Sequence, residues 1–193
     1  RALVFLGDSI TQGFGDDFHG AFAGAKLANR GISGDTTRGM LLRLADDVLA
    51  LDPSGVVMLM GTNDLEEGAE PETIAANVKQ IIAAIETRNP RTPIVVCHVF
   101  PSAADKKRPT EKIKKLNALV AEAGREAGGV AVGGVEALPD DGAGGFRLGL
   151  QRGGHLVEAG VHGARGQGGV HGTLLPGGQG GAGHAAAAHR NAG

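Results

Sequence analysis

Short, continuous hydrophobic runs alternate along this chain with longer stretches in which hydrophobic residues recur every three or four positions. Continuous runs are typical of strands buried on both faces of a sheet, and the longer periodicity is typical of amphipathic helices. The continuous runs predict five strands, at residues 2–6, 27–32, 56–60, 94–100 and 130–132.

Three helical stripes fill gaps between these strands: Leu41, Leu44, Val48 and Leu51; Ile74, Val78, Ile81, Ile82 and Ile85; and Ile113, Leu116, Val120 and Ala123. Asp35 or Thr36 is predicted to cap the first helix, Pro71 to open the second and Asn89-Pro90 to close it. Alternating strands and helices predict one α/β domain over residues 1–193. We expect three layers, α/β/α and flavodoxin-like, with about five parallel strands.

The composition changes near residue 141. Eighteen of the 34 glycines lie in the last 53 residues, together with five of the seven histidines, and no acidic residue follows Glu158. Glycine-rich backbone loses much entropy on folding and offers little side chain to bury. For residues 163–193 three interpretations stay open: a flexible tail, a sequence made unreliable by a reading-frame error, and a histidine-rich metal tract. The last is least favoured because no regular ligand spacing is visible.

Charge and composition narrow the classes of partner. A net charge of -2 gives no basic surface for nucleic acid, and no hydrophobic run approaches the ~20 residues of a membrane span. The single cysteine, Cys97, is predicted to be a buried, inert thiol. The chain begins at Arg1 with neither methionine nor signal sequence, which suggests a missing start. The compartment, cytoplasmic or secreted, and the oligomeric state stay open.

Polar residues that could carry chemistry follow three of the predicted strands. Ser9 follows the first strand, where parallel sheets bind ligands, and is a candidate nucleophile. A simple helix cap would also explain Ser9. No serine lies in a Gly-x-Ser-x-Gly elbow, which excludes that type of hydrolase.

Gly34 and Asn63 follow the second and third strands. The Gly34 N–H could approach a ligand closely, and the Asn63 amide could donate to a developing oxyanion. A turn glycine and an asparagine bonded to its own loop are the alternatives. His155 is a candidate base, or a solvated histidine in a glycine-rich tail.

Taken together, Gly7-Asp8-Ser9-Ile10-Thr11, Gly31-Ile32-Ser33-Gly34-Asp35 and Gly61-Thr62-Asn63-Asp64 resemble the blocks of the GDSL/SGNH hydrolase family over residues 2–130. The branch most similar is that of the platelet-activating-factor acetylhydrolases. The resemblance implies that Ser9 is the nucleophile and that the Ser9 N–H, the Gly34 N–H and the Asn63 amide form the oxyanion hole. It also implies that His155, in His155-Leu156-Val157-Glu158, is the base.

The last block departs from the family pattern, which has an aspartate three residues before the histidine. Arg152 occupies that position. Arginine there would disfavour a charged imidazole, which aspartate would stabilise. A local misreading of the sequence, a Ser–His dyad or recruitment of Asp140 or Asp141, and a weakened or inactive relative are the open explanations.

The sequence therefore predicts a serine esterase that hydrolyses small acyl esters, of acetyl type, through an acyl-enzyme, with no metal and no cofactor. An inactive carbohydrate- or lipid-binding relative of the same fold is the alternative. A nucleotide-binding protein is disfavoured because no phosphate-binding glycine loop is present. The segment from Thr11 to Ala25, with Phe14, Phe18 and Phe22, is expected to shape the acyl pocket.

Overall fold

The computed structural model describes residues 1–18, 22, 24–102 and 106–127, and the backbone of three strands between residues 130 and 162. One sheet has the order β2-β1-β3-β4-β5-β6-β7. The strands are β1 (Leu3–Gly7), β2 (Leu27–Gly31), β3 (Gly55–Leu59), β4 (Ile94–Cys97), β5 (Val130–Ala137), β6 (Gly145–Arg152) and β7 (His155–His162).

The pairs from β2 to β5 are parallel, whereas β6 and β7 are antiparallel to their neighbours. The order 2-1-3-4-5 of the parallel strands is that of flavodoxin-like folds. The prediction of an α/β fold with about five parallel strands is confirmed. The two antiparallel strands were not predicted, because their glycine-rich sequence carries no clear hydrophobic pattern.

Five helices are described: α1 (Ser9–Gln12), α2 (Thr37–Asp47), α3 (Thr62–Glu66), α4 (Pro71–Arg88) and α5 (Thr110–Glu126). Thr36 caps α2, since its side-chain oxygen accepts the Gly39 N–H at 3.3 Å. Pro71 opens α4 and Asn89 ends it, as predicted. The short helices α1 and α3 were not predicted. The stripe that includes Leu51 is broken by Val48, so Leu51 lies in a separate 3-10 turn, Leu49–Leu51.

The fourth strand is shorter than predicted, because it ends at Cys97 rather than Phe100. The Asn117 side chain of α5 accepts the Val99 N–H at 2.8 Å and donates to the Val99 carbonyl at 3.0 Å. These bonds satisfy the Val99 backbone in place of a strand neighbour. Cys97 is buried, which raises the pKa of its thiol to about 12 and confirms the prediction of an inert cysteine.

The main core lies on one face of the sheet, between the strands and helices α2, α4 and α5. Every residue of the predicted α4 and α5 stripes is buried there. Alternate residues of the strands supply the sheet side of this core: Val4, Leu6, Val56, Met58, Ile94 and Val96. This single large core anchors the three parallel strands whose ends carry the motifs.

The opposite face of β1 is covered by aromatic rings. Phe5 lies with its ring centroid 4.0 Å from that of Phe18 and 5.3 Å from that of Phe22. Phe18 is 6% exposed. Its ring therefore packs on the sheet, which gives it a structural role that the expectation of an acyl pocket did not include. Among the described residues, no helix is long and apolar enough to cross a membrane.

Two leucines on α2 provide a test of this core. Leu44 is 4% exposed and Leu42 is 85% exposed. We expect Leu44→Ala to lower the free energy of unfolding by about 2–5 kcal/mol, because it leaves a cavity. Leu42→Ala, the control on the same helix, should change it by less than about 0.5 kcal/mol. Urea unfolding followed by circular dichroism measures both, and equal losses would contradict the assigned orientation of α2.

Candidate active site

The three sequence motifs meet at the carboxyl edge of the sheet. Gly7, the last residue of β1, lies level with Gly31 at the end of β2 and with Leu59 at the end of β3. Because β1 lies between β2 and β3, the residues that follow these three strands emerge side by side. The structure thus brings together the segments that carry Ser9, Gly34 and Asn63.

Ser9 is the first residue of α1, and it is exposed. Asp8 caps this short helix, since its Oδ1 accepts the Ile10 N–H at 2.9 Å. The helix lies directly against β2: a Cβ at Gly31 would come within 2.2 Å of the Gln12 nitrogen. Only glycine permits this approach, which holds Ser9 at the strand edge.

The Gly34 loop is joined to α1. The Ser33 N–H donates to the Gln12 side-chain oxygen at 2.8 Å. Gly34 itself has a φ of 79°, a conformation that costs other residues roughly 1–2 kcal/mol. It is exposed, and a Cβ there would meet no atom within 4 Å. Glycine is therefore required for the backbone conformation and leaves the peptide open to a ligand.

Asn63 reaches the same loop from α3. Its Nδ2 donates to the Asp35 carbonyl at 2.8 Å, one peptide beyond Gly34. A carboxamide nitrogen carries two N–H groups, so one can hold the loop and the other can face a ligand. The alternative that Asn63 bonds only its own loop is not what the structure shows.

Arg43 joins the ends of two strands to the loop that carries Gly34. Its guanidinium donates to the Asp35 carboxylate at 2.8 Å, to the Arg30 carbonyl at 2.9 Å and to the Gly7 carbonyl at 3.3 Å. It also pairs with Asp47 at 2.7 Å. One side chain thus ties the ends of β1 and β2 to the Gly34 loop. No sequence motif indicated this role, because three of the four partners of Arg43 lie eight or more residues away along the chain.

Asp64 connects α3 to the first residue of α2. The two oxygens of its buried carboxylate accept the Thr37 N–H at 3.1 and 3.0 Å, and Oδ1 accepts the Thr37 hydroxyl at 2.6 Å. Asn77 of α4 donates to the same hydroxyl at 2.9 Å. Asp64 belongs to the Gly61–Asp64 motif, yet the sequence alone assigned it no role.

Similarity to known proteins agrees with this geometry. The model of the GDSL-like lipase/acylhydrolase family matches residues 5–162. This chain belongs to that family.

Individual relatives match a smaller part of this chain than the family model does. The chain is 32% identical over 121 residues to human (Homo sapiens) platelet-activating factor acetylhydrolase IB subunit alpha2, covering 61% of this chain and 52% of the relative. The chain therefore spans about half the length of the curated relatives that it matches.

Solved structures show the same fold. The lipase/acylhydrolase from Enterococcus faecalis is similar with a TM-score of 0.55 and 26% identity, covering 67% of this chain and 74% of that chain. A GDSL-like lipase from Bacteroides thetaiotaomicron is similar with a TM-score of 0.57 and 24% identity, covering 68% of each chain.

The structure does not bring His155 to Ser9, which departs from what the family resemblance implies. His155 is the first residue of β7, and its backbone pairs with that of Arg152 across the β6–β7 hairpin. Because β7 runs in the direction of β5, its first residue lies at the amino edge of the sheet, opposite Ser9. Five strand spacings separate β1 from β7, about 24 Å at ~4.8 Å each. Asp140 and Asp141, the alternative acids, lie outside the described residues.

His98 lies at the carboxyl edge and has a described side chain. It follows β4 and lines a cleft of about 220 Å³ with Ile113, Lys114 and Asn117 of α5. Its Nε2 is buried without a partner among the described residues, and burial lowers the pKa of its imidazole. It makes no hydrogen bond to Ser9, so it does not replace His155 in this arrangement.

Asp8 is the titratable group nearest Ser9 in the chain. It is 1% exposed, and its Oδ2 has no partner among the described residues. Burial raises the pKa of Asp8, against the opposing effects of the Ile10 N–H and the Arg108 charge. Arg108 is itself held by an ion pair with Glu66 at the end of α3.

This environment predicts a pH-dependent stability. A raised pKa means that the folded protein binds the Asp8 proton more tightly than the unfolded chain does. The stabilisation is complete below the ordinary pKa of 3.8 and is lost as the pH rises through the folded pKa. Asp8→Asn keeps an oxygen for the Ile10 N–H and does not titrate. We expect the stability of the wild type relative to Asp8→Asn to fall as the pH rises from about 3 to about 7.

Urea unfolding at a series of pH values measures this difference. Asp16→Asn, at an exposed carboxylate in the same segment, controls for the loss of one negative charge. A rise in the stability of the wild type relative to Asp8→Asn as the pH increases would contradict the assigned environment of Asp8.

Proposed function

We propose that this protein is a serine esterase that hydrolyses small acyl esters through an acyl-enzyme. The observation that carries the proposal is the contact between motifs at one sheet edge: Asn63 bonds the Asp35 carbonyl and Gln12 of α1 bonds Ser33. These contacts support the proposal that the Ser9 hydroxyl, the Gly34 peptide and the Asn63 amide face one substrate site. Family membership supports the same chemistry.

In the proposed reaction the Ser9 oxygen attacks the acyl carbonyl carbon while a base accepts the hydroxyl proton. The carbonyl oxygen becomes negative, and the Ser9 N–H, the Gly34 N–H and the Asn63 amide donate to it. The carbon–oxygen bond of the ester then breaks, and the alcohol leaves with the proton from the base. Water attacks the acyl-Ser9 ester in the same manner and releases the carboxylic acid.

The donors matter because they stabilise charge that exists only in the transition state. Removal of one such donor typically lowers kcat by about 10²–10³-fold. In this chain the Gly34 and Asn63 donors are held by backbone and side-chain bonds before substrate binds. That preorganisation is what distinguishes an oxyanion hole from a polar loop.

The proposed substrates are esters with short acyl groups, of acetyl type. The support is the similarity to a relative named as an acetylhydrolase.

The proposal that Ser9 is the nucleophile does not depend on His155 being the base. A base must come within hydrogen-bond reach of Ser9, and the backbone of β7 lies at the opposite sheet edge. Ser9, Gly34 and Asn63 do not depend on β7 for their positions, since their contacts lie within residues 7–64.

Ser9→Ala tests the proposed nucleophile. With p-nitrophenyl acetate as substrate, we expect kcat/KM to fall by about 10³-fold or more, because the proposed acyl-enzyme needs the Ser9 hydroxyl. Ser54→Ala is the matched control: Ser54 is exposed and precedes β3 at the amino edge. Equal hydrolysis by the wild type and by Ser9→Ala would refute the esterase proposal.

A catalytically inactive relative that binds carbohydrate or lipid is the second candidate. The observation that favours it is that no histidine side chain described in the structure makes a hydrogen bond to Ser9. It predicts that the wild type hydrolyses p-nitrophenyl acetate no faster than Ser9→Ala does, so the same experiment separates the two candidates.

His155→Gln tests the base assignment. From the backbone position of β7, we expect the Ser9-dependent rate to stay within about twofold of the wild type. Steady-state kinetics between about pH 5 and pH 9 measures this, with His162→Gln, at the other end of β7, as the control. A fall of 10²-fold or more in His155→Gln alone would establish the base role that the family resemblance implies.

A further inference from the structure

Two adjacent residues of α3 hold two nearby residues of the segment that carries Gly34. Asn63 bonds the Asp35 carbonyl, and Asp64 bonds the N–H and hydroxyl of Thr37. Two residues separate Gly34 from Thr37, so the position of Thr37 constrains where the Gly34 N–H can lie. The two sets of bonds form a clamp between the loop before α2 and the start of α3.

We propose that Asp64 is a positioning residue for the reaction: by holding Thr37, it sets the separation of the Gly34 N–H from the Asn63 amide. The proposal rests on the proposed function for its kinetic consequence, whereas the clamp itself can be tested without a substrate. Asp64 does not touch the reacting atoms and acts only through Thr37 and the backbone of its own helix.

The chemistry of the contact explains why a carboxylate is needed. Thr37 presents two donors, its N–H and its hydroxyl, and a carboxylate can accept both with good geometry. The N–H belongs to the first residue of α2, where a negative charge is favourable. The Thr37 hydroxyl also accepts from Asn77, which directs its own proton toward Asp64.

The short helix α3 fixes Asn63 and Asp64 relative to each other. Its first turn is closed by the bond from the Leu65 N–H to the Gly61 carbonyl and by the bond from the Glu67 N–H to the Asn63 carbonyl. Asn63 and Asp64 therefore move together. If Asp64 releases Thr37, the bond from Asn63 to the Asp35 carbonyl is the described hydrogen bond that still joins α3 to the loop before α2. The Gly34 loop and the start of α2 can then shift against Asn63.

The experiment compares Asp64→Asn with Ile85→Val. An amide at position 64 loses one acceptor and turns an N–H₂ group toward the Thr37 donors. Ile85 is buried in α4 and is not part of the clamp, so Ile85→Val reports the effect of lost stability alone. We expect Asp64→Asn to lower kcat by about 10–100-fold with KM changed by less than about threefold, since displacement of the donors affects the transition state. Ile85→Val should leave both within about twofold.

Thr37 supplies a rescue series. Thr37→Val removes the hydroxyl with little change of shape and should lower kcat in the same way as Asp64→Asn. Thr37→Ser keeps the hydroxyl and should restore most of the rate. An equal loss in Thr37→Val and Thr37→Ser would overturn the proposal, because it would assign the effect to packing.

Hydrogen exchange followed by mass spectrometry tests the clamp without any ester. We expect peptides covering residues 32–38 to exchange faster in Asp64→Asn than in the wild type, with peptides from α5 unchanged. Unchanged exchange in residues 32–38 would overturn the clamp whether or not the protein is an esterase. If the wild type hydrolyses ester and Asp64→Asn keeps its kcat, the positioning role fails while the proposed function stands.

Discussion

The central position of β1 in the parallel sheet is the constraint on which the rest of the site depends. The chain goes from β1 to β2 on one side and then returns past β1 to β3 on the other. At such a switch in strand order the following loops diverge and leave a crevice at the carboxyl edge. Ser9 follows the central strand, and the other two motifs follow its neighbours. The topology places Ser9, the proposed nucleophile, between the segments of its two proposed donors before any side chain is considered.

Three buried or half-buried charges convert this topology into a defined geometry. Arg43 holds the carbonyl ends of β1 and β2 and the Asp35 carboxylate, and Asp64 holds Thr37. Charges taken out of water are costly unless their hydrogen bonds are satisfied. Arg43 is bound by two carboxylates and two backbone carbonyls, and Asp64 by the N–H and hydroxyl of Thr37. Asp8 differs, because burial leaves one of its oxygens without a partner and raises its pKa. This unpartnered oxygen belongs to the residue immediately before Ser9, the proposed nucleophile.

Patterns that repeat along the chain were predictable, and contacts between distant residues were not. All five residues of the predicted α4 stripe are buried, because hydrophobic residues at helical spacing lie on the one face that packs against the core. The end of β4 was misplaced because Asn117, eighteen residues beyond Val99, ends the strand. For the site, the motifs identified Ser9, Gly34 and Asn63 as neighbours, which follows from parallel strands alone. Arg43 and Asp64 act through hydrogen bonds that no local pattern encodes.

The separation of the site into two parts has a chemical consequence. The proposed nucleophile and oxyanion donors come from the first 64 residues, and the segments that carry them are linked by hydrogen bonds at the ends of β1, β2 and β3. The base in the family pattern comes from a segment more than 90 residues later, in which this chain has Arg152 in place of the aspartate. In the proposed mechanism, a change confined to that segment can remove proton transfer, worth typically about 10²–10⁴-fold in rate, while the contacts among the segments of Ser9, Gly34 and Asn63 stay in place. The proposed base can therefore be lost separately from the proposed oxyanion donors, because the two come from distant parts of the chain.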